Sequence, residues 1–180
     1  DIVSTHGAFA ALKNDGSVVT WGLARDGGDS SGVSDQLSSG VNKIYSTNYS
    51  FAALKNDGSV VTWGFAKKAG QIDYLWGPWT SKGENGNSNV LESGVSKVCT
   101  LSDGYFAAIK TDGSVVVWGW GAPGVWLQKE DADVIRFIEI SDQLSSDVVN
   151  IFSTGRAAAA LKTDGSVVTW GEDARGGAVS

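Results

Sequence analysis

Aspartate followed directly by glycine and serine recurs four times in this 180-residue chain, with the pair at Asp15-Gly16, Asp57-Gly58, Asp112-Gly113 and Asp164-Gly165. Carboxylates at regular spacing are the raw material of calcium sites and of general acid-base chemistry. Their flanks argue for another use. Each pair lies between two apolar-rich runs, and Asp-Gly supplies the positive φ that a tight hairpin turn requires. One carboxylate per turn does not assemble the several oxygen ligands that calcium takes. Other reactive side chains are few: His6 is the single histidine and Cys99 the single cysteine. His6 is read as a turn or solvent-facing residue, and Cys99, within an apolar strand-like run, as a buried inert thiol. The glycine-rich pieces 24–32 and 119–124 carry no phosphate-binding fingerprint opening a helix. The chain is therefore expected not to be an enzyme, with no catalytic residues, no metal and no cofactor.

The elements that hold these turns repeat. Residues 9–22 read FAALKNDGSVVTWG and residues 51–64 read the same, letter for letter; residues 106–119 and 158–171 are near copies. Each copy is a hairpin whose second arm, SVVTW in three copies, is β-branched and ends on Trp21, Trp63, Trp118 or Trp170. These four rings are assigned to core or blade-to-blade packing, and the paired alanines of the first arm to close approach of a neighbouring sheet. A third short run precedes each hairpin, at 2–5, 44–47, 98–101 and 151–154. Behind the hairpins, the phrases at 34–41, 89–95 and 141–148 align on Leu37, Leu91 and Leu144 and are candidates for a fourth strand. The tryptophan spacings of 42, 55 and 52 residues match one propeller blade rather than a shorter solenoid rung.

The string DGSVVTWG, preceded by an apolar strand and trailed by a glycine-rich stretch, resembles the RCC1-like (regulator of chromosome condensation type) β-propeller repeat. The resemblance runs through nearly the whole chain in four passes and implies an all-β fold of RCC1-like β-propeller blades. Seven such blades usually close the ring in that family. Four repeats, at roughly 1–41, 42–95, 96–148 and a truncated 149–180, make this a single repeat domain, expected to be an incomplete propeller or a piece of a larger one. Two departures stand out. The family's G-Q-L-G phrase survives only as Gly27-Gly28 and Gly70-Gln71, and the histidine before the first hairpin arm is replaced by Ala8, Ser50, Tyr105 and Ala157.

The copies differ in the segment after the WG pair: residues 65–97 and 120–150 are longer than the equivalent 23–43. In repeat proteins such insertions gather as loops on one face, often the binding face. They hold Tyr74, Trp76, Trp79, Trp120 and Trp126, rings that the repeated hairpin does not need, and these are the partner-binding candidates. Each ring either plugs its own blade or faces a partner. The run VIRFIEI, 134–140, reads as an added or edge strand, with a short helix from Lys129 as the alternative.

Composition narrows the function classes. Eight tryptophans and 24 glycines against two prolines make a tryptophan-rich, turn-rich chain. A net charge of −6 argues against a nucleic-acid partner, and no apolar run is long enough to span a membrane. The leading expectation is a non-catalytic protein-protein interaction or scaffold module within a larger assembly. The alternatives are a peripheral subunit of a large membrane-associated assembly such as a photosynthetic complex, and a small-GTPase or chromatin regulator. Localisation is left open by the sequence.

Overall fold

The computed structural model describes residues 1–65, 75–76, 91–101, 104–119, 142–154, 157–171 and 176. Each Asp-Gly turn closes a hairpin in the same register. β2 (Ala8–Leu12) pairs with β3 (Val18–Gly22), setting Phe9 opposite Trp21 and Ala10 opposite Thr20. Ser50–Lys55 (β5) with Val60–Gly64 (β6) sets Phe51 opposite Trp63. Tyr105–Lys110 (β9) with Val115–Gly119 (β10) sets Phe106 opposite Trp118. Ala157–Lys162 (β12) with Val167–Gly171 (β13) sets Ala158 opposite Trp170. The turn glycines all adopt positive φ, 78° at Gly16 and 79° at Gly58, where a side chain would be strained.

A further strand lies antiparallel to each first arm: Ile2–Ser4 (β1), Val41–Ser46 (β4), Val95–Thr100 (β8) and Val148–Ser153 (β11). The last three start three residues before the apolar runs at 44–47, 98–101 and 151–154, and a bulge inserts one residue after Val41, Val95 and Val148. The chain is thus an all-β propeller of four blades, each built, among the described residues, on a three-stranded antiparallel sheet. The third blade is widened by the two-residue strand Leu75–Trp76 (β7), which pairs with β10.

The phrases around Leu37 and Leu144 do not become strands. Residues 34–39 are turns, and Asp142–Leu144 is a 3-10 helix. Their Ser, Asp and Gly content favours local turns, such as the Leu37 amide donating to the Val33 carbonyl. Leu37, Leu91 and Leu144 are buried at 2%, 4% and 0% exposure, so each phrase delivers one apolar plug. The Leu37 carbonyl also accepts from the Val18 amide, tying the plug to the hairpin below it.

Strand alternation gives every blade two apolar faces, and three clusters of buried side chains fill the three gaps between successive blades. Ala10 of the first blade packs with Ile44, Phe51, Ala53, Val61 and Trp63 of the second. On the second blade's other face, Ala52 and Leu54 pack with Val98, Phe106, Ala108, Val116 and Trp118 of the third. Adjacent alanines in one arm therefore serve opposite neighbours. Backbone bonds join the blades as well: Val41, Val95 and Val148 amides donate to the Gly16, Gly58 and Gly113 carbonyls of the preceding turn at 2.9–3.0 Å. Within the second, third and fourth blades, the Asn56, Thr111 and Thr163 amides donate to the Gly40, Gly94 and Asp147 carbonyls just before the first strand of the same blade. Gly40, Gly94 and Asp147 share a left-handed conformation.

Because Leu144 is fully enclosed, Leu144→Ala is expected to lower the unfolding free energy by about 2–5 kcal/mol. Urea unfolding of the variant against the parent chain measures this, and a shift in midpoint at constant slope is the expected form.

Candidate functional site

The four aspartates serve their own turns. One carboxylate oxygen of Asp15 accepts from the Ser17 amide at 2.9 Å and the Ser17 hydroxyl at 2.7 Å. Asp57 with Ser59, Asp112 with Ser114 and Asp164 with Ser166 repeat the pattern at 2.6–2.9 Å. The serine hydroxyl, then the serine amide, stabilises the charged form and holds Asp15 at about 2; the same bonds lower the other three. A depressed folded value means the contribution is present above the ordinary carboxylate pKa and lost as pH falls toward 2. Among the described residues, no group of three or more His, Cys, Asp or Glu side chains gathers as a metal site.

The repeat tryptophans divide by position. Phe51 and Trp63 stack with centroids 5.2 Å apart, and the buried Trp63 indole Nε1 donates to the Gly27 carbonyl at 3.1 Å. A Cβ on Gly27 would lie 2.5 Å from the Phe51 ring, so the linker passes over this pair only as glycine. Phe106 and Trp118 stack likewise at 5.4 Å and are buried, and Trp170 is buried against the third blade. In the first blade Phe9 and Trp21 form the same stack at 5.4 Å, yet they are 45% and 44% exposed. Ile2 and Val19 on the same face are 63% and 46% exposed. At the opposite end, Phe152 and Val167 of the fourth blade are also exposed.

Of the insert rings, Trp76 has its backbone in β7 opposite Val117, while Tyr74, Trp79, Trp120 and Trp126 lie outside the described residues, as does the run 134–140. His6 sits between β1 and β2 with its amide on the Asn48 carbonyl and its ring 6.4 Å from that of Tyr49. Cys99 is partly buried, and that burial pushes its thiol pKa up, away from the reactive thiolate.

Asp26 carries no signal in the sequence that would single it out. Its side chain is 1% exposed, in the linker between the first two blades, and it faces the exposed Arg25, with Nε 3.3 Å from Oδ1. That contact lacks hydrogen-bond alignment, so both carboxylate oxygens are buried without a hydrogen bond among the described residues. Its backbone is held instead, the Asp26 carbonyl accepting from Thr5 Oγ1 at 2.9 Å. Nothing local in Asp26-Gly27-Gly28 marks such burial, since the turn itself is ordinary.

No family model and no curated protein matches the sequence. Solved structures do. The chain superposes on Prp20p from Saccharomyces cerevisiae, a structure presented with its binding to Gsp1p and histones, with a TM-score of 0.56 and 17% identity over 96% of this chain and 44% of that one. Yeast RCC1 (Prp20) bound to Kap60 gives 0.54 and 18% identity, covering 94% of this chain and 43% of the other. Human WBSCR16 gives 0.51 and 20% over 98% and 48%. The likeness is one of fold, an RCC1-like β-propeller, and the chain spans less than half the length of each of these structures.

Two measurements probe the site. Carbon-detected NMR titration is expected to place the Asp15 midpoint near 2, and Ser17→Ala to move it toward the ordinary value of 3.8. Arg25→Ala is expected to cost about 1–2 kcal/mol by leaving Asp26 uncompensated, discounted for the exposure of the arginine. Adding Asp26→Asn should recover most of that loss in urea unfolding, and equal losses in single and double variants would exclude the ion pair as the cause.

Proposed function

We propose that this chain is a non-catalytic protein-interaction module built from RCC1-like repeats, with the exposed face of the first blade as its principal contact surface. The observation that carries the reading is a contrast between identical residues. Ile2, Phe9, Ala11, Val19 and Trp21 repeat Ile44, Phe51, Ala53, Val61 and Trp63 type for type, but the second set is buried by a neighbouring blade and the first is open. Contiguous apolar surface with an aromatic centre is the composition of a binding hot spot. The insert rings Tyr74, Trp76, Trp79, Trp120 and Trp126 form a second contact set in this proposal, with the backbone of Trp76 already on the edge of the third blade.

Regulation of a small GTPase or of chromatin is the second reading. It is supported by superposition on Prp20p, whose structure is described with Gsp1p and histones. Nucleotide-exchange measurements with a small GTPase separate it from a passive scaffold.

A photo-crosslinking amino acid placed at Val19 is expected to give a protein adduct in the native cells, while one at the exposed polar control Ser38 gives none. Trp21→Ala should cut the adduct yield by about tenfold or more. Since Trp21 is half exposed, that loss reports on contact and not on unfolding. Equal yields at both positions, or none at either, overturn the reading.

A further inference from the structure

We infer that Arg25, held by the buried Asp26 beside the rings of His6, Tyr49 and Phe65, forms a recognition site over the gap between the first two blades. Its ligand is a peptide segment that presents a carboxylate next to an aromatic side chain. The site is separate from the outer face of the first blade and does not depend on it.

Asp26 is a charge that the fold itself does not use. A carboxylate at 1% exposure with no hydrogen bond among the described residues lowers stability, and a buried charge kept in such a place is a functional-site signal. Arg25 stands against it, the only arginine among the described residues, with Nε 3.3 Å from Asp26 Oδ1 and its side chain 74% exposed. The buried acid thus holds the guanidinium by one edge and leaves the two terminal nitrogens for a ligand. Such a pair of donors is a fork matched to a carboxylate. Because Asp26 already offsets the arginine's charge, a singly charged carboxylate fits better than a doubly charged phosphate.

The turn Ala24–Asp26 is fixed over the loop that follows β1. Thr5 Oγ1 donates to the Asp26 carbonyl at 2.9 Å, the Leu23 amide donates to the Gly7 carbonyl at 2.8 Å, and a Cβ on Gly7 would lie 2.5 Å from Asp26 Oδ2. Arg25 is thereby set beside His6. The loops after β1 and β4 are built alike, with the Thr5 and Thr47 hydroxyls accepting from the Ala8 and Ser50 amides at 3.0 and 3.2 Å. Inside that common frame the residues change from His6-Gly7 to Asn48-Tyr49, and variable residues on a rigid frame are where binding groups collect. The His6 amide donates to the Asn48 carbonyl at 2.7 Å, which joins the two loops. The His6 and Tyr49 rings lie 6.4 Å apart and tilted by 47°, the Tyr49 and Phe65 rings 6.0 Å apart and tilted by 52°. His6 is exposed and the other two are half-buried, an arrangement that takes a further ring edge to face. With a net charge of −6 the chain exerts no general attraction on acidic partners, so this one fork and its rings select the ligand.

The test titrates the whole chain with end-blocked peptides in which aspartate, asparagine or phosphoserine precedes a phenylalanine between Gly-Ser spacers. Calorimetry and the NMR signals of the Arg25 side chain and the Tyr49 ring report binding. The aspartate peptide is expected to bind and to shift both signals, and the asparagine peptide to bind about tenfold more weakly. Arg25→Lys, which keeps the charge and loses the fork, should lower affinity for the aspartate peptide about tenfold. Asp26→Asn is expected to melt no lower than the parent and to move selectivity toward the phosphoserine peptide by about fivefold, a ratio that a merely structural acid would not alter. Equal affinity for the aspartate and asparagine peptides overturns the inference, as does tighter binding of the phosphoserine peptide by the parent chain. Unchanged affinity in Arg25→Lys, unchanged selectivity in Asp26→Asn, or no binding of the aspartate peptide at millimolar concentration does so too.

Discussion

Every blade in this propeller is a sheet of only three main strands with apolar side chains on both faces, so none can bury itself. The whole structure depends on that constraint. A two-faced sheet needs a neighbour on each side, and stacking blades is how the chain removes Phe51, Trp63, Phe106 and Trp118 from water. Burying one such ring contributes on the order of 1.5–3 kcal/mol, more than any turn hydrogen bond in the repeat supplies. Alanines at the middle of the first arm let the sheets come close enough for those rings to be enclosed.

Turn chemistry sets the spacing within this stack. The Asp-Ser bonds shape the first three hairpin ends so that each glycine carbonyl meets the next blade's first strand, which the left-handed Gly40, Gly94 or Asp147 leads into. The repeated carboxylates are thus committed to geometry. The same holds for the Trp63 indole, whose one donor goes to the Gly27 carbonyl. Among the described residues, the rings of the repeat left exposed are Phe9 and Trp21 of the first blade and Phe152 of the fourth.

The inner blades also explain why burial of a charge at Asp26 is tolerated. Its linker must pass tightly over Phe51 to deliver Gly27, and the carboxylate is carried inward with it, tethered through its backbone to Thr5. Packing of the ring pair outweighs the poor solvation of one acid partly offset by Arg25.

Residues 9–22 and 51–64 are the same fourteen letters, and they separate what sequence settles from what tertiary structure settles. Both form the same hairpin, with the same turn, register and ring stack, because those arise from contacts between residues close in the chain. The repeat, the blade and the all-β class were legible for that reason. Burial was not, because it is a property of the neighbour: Trp63 is enclosed by the first blade, and Trp21 is left half open. The Leu37 and Leu144 phrases show the same limit, since an apolar residue in a polar stretch becomes a strand or a plug according to the gap above it. Local sequence decided the shape of each unit; only the order of stacking decided which identical face is core and which is surface.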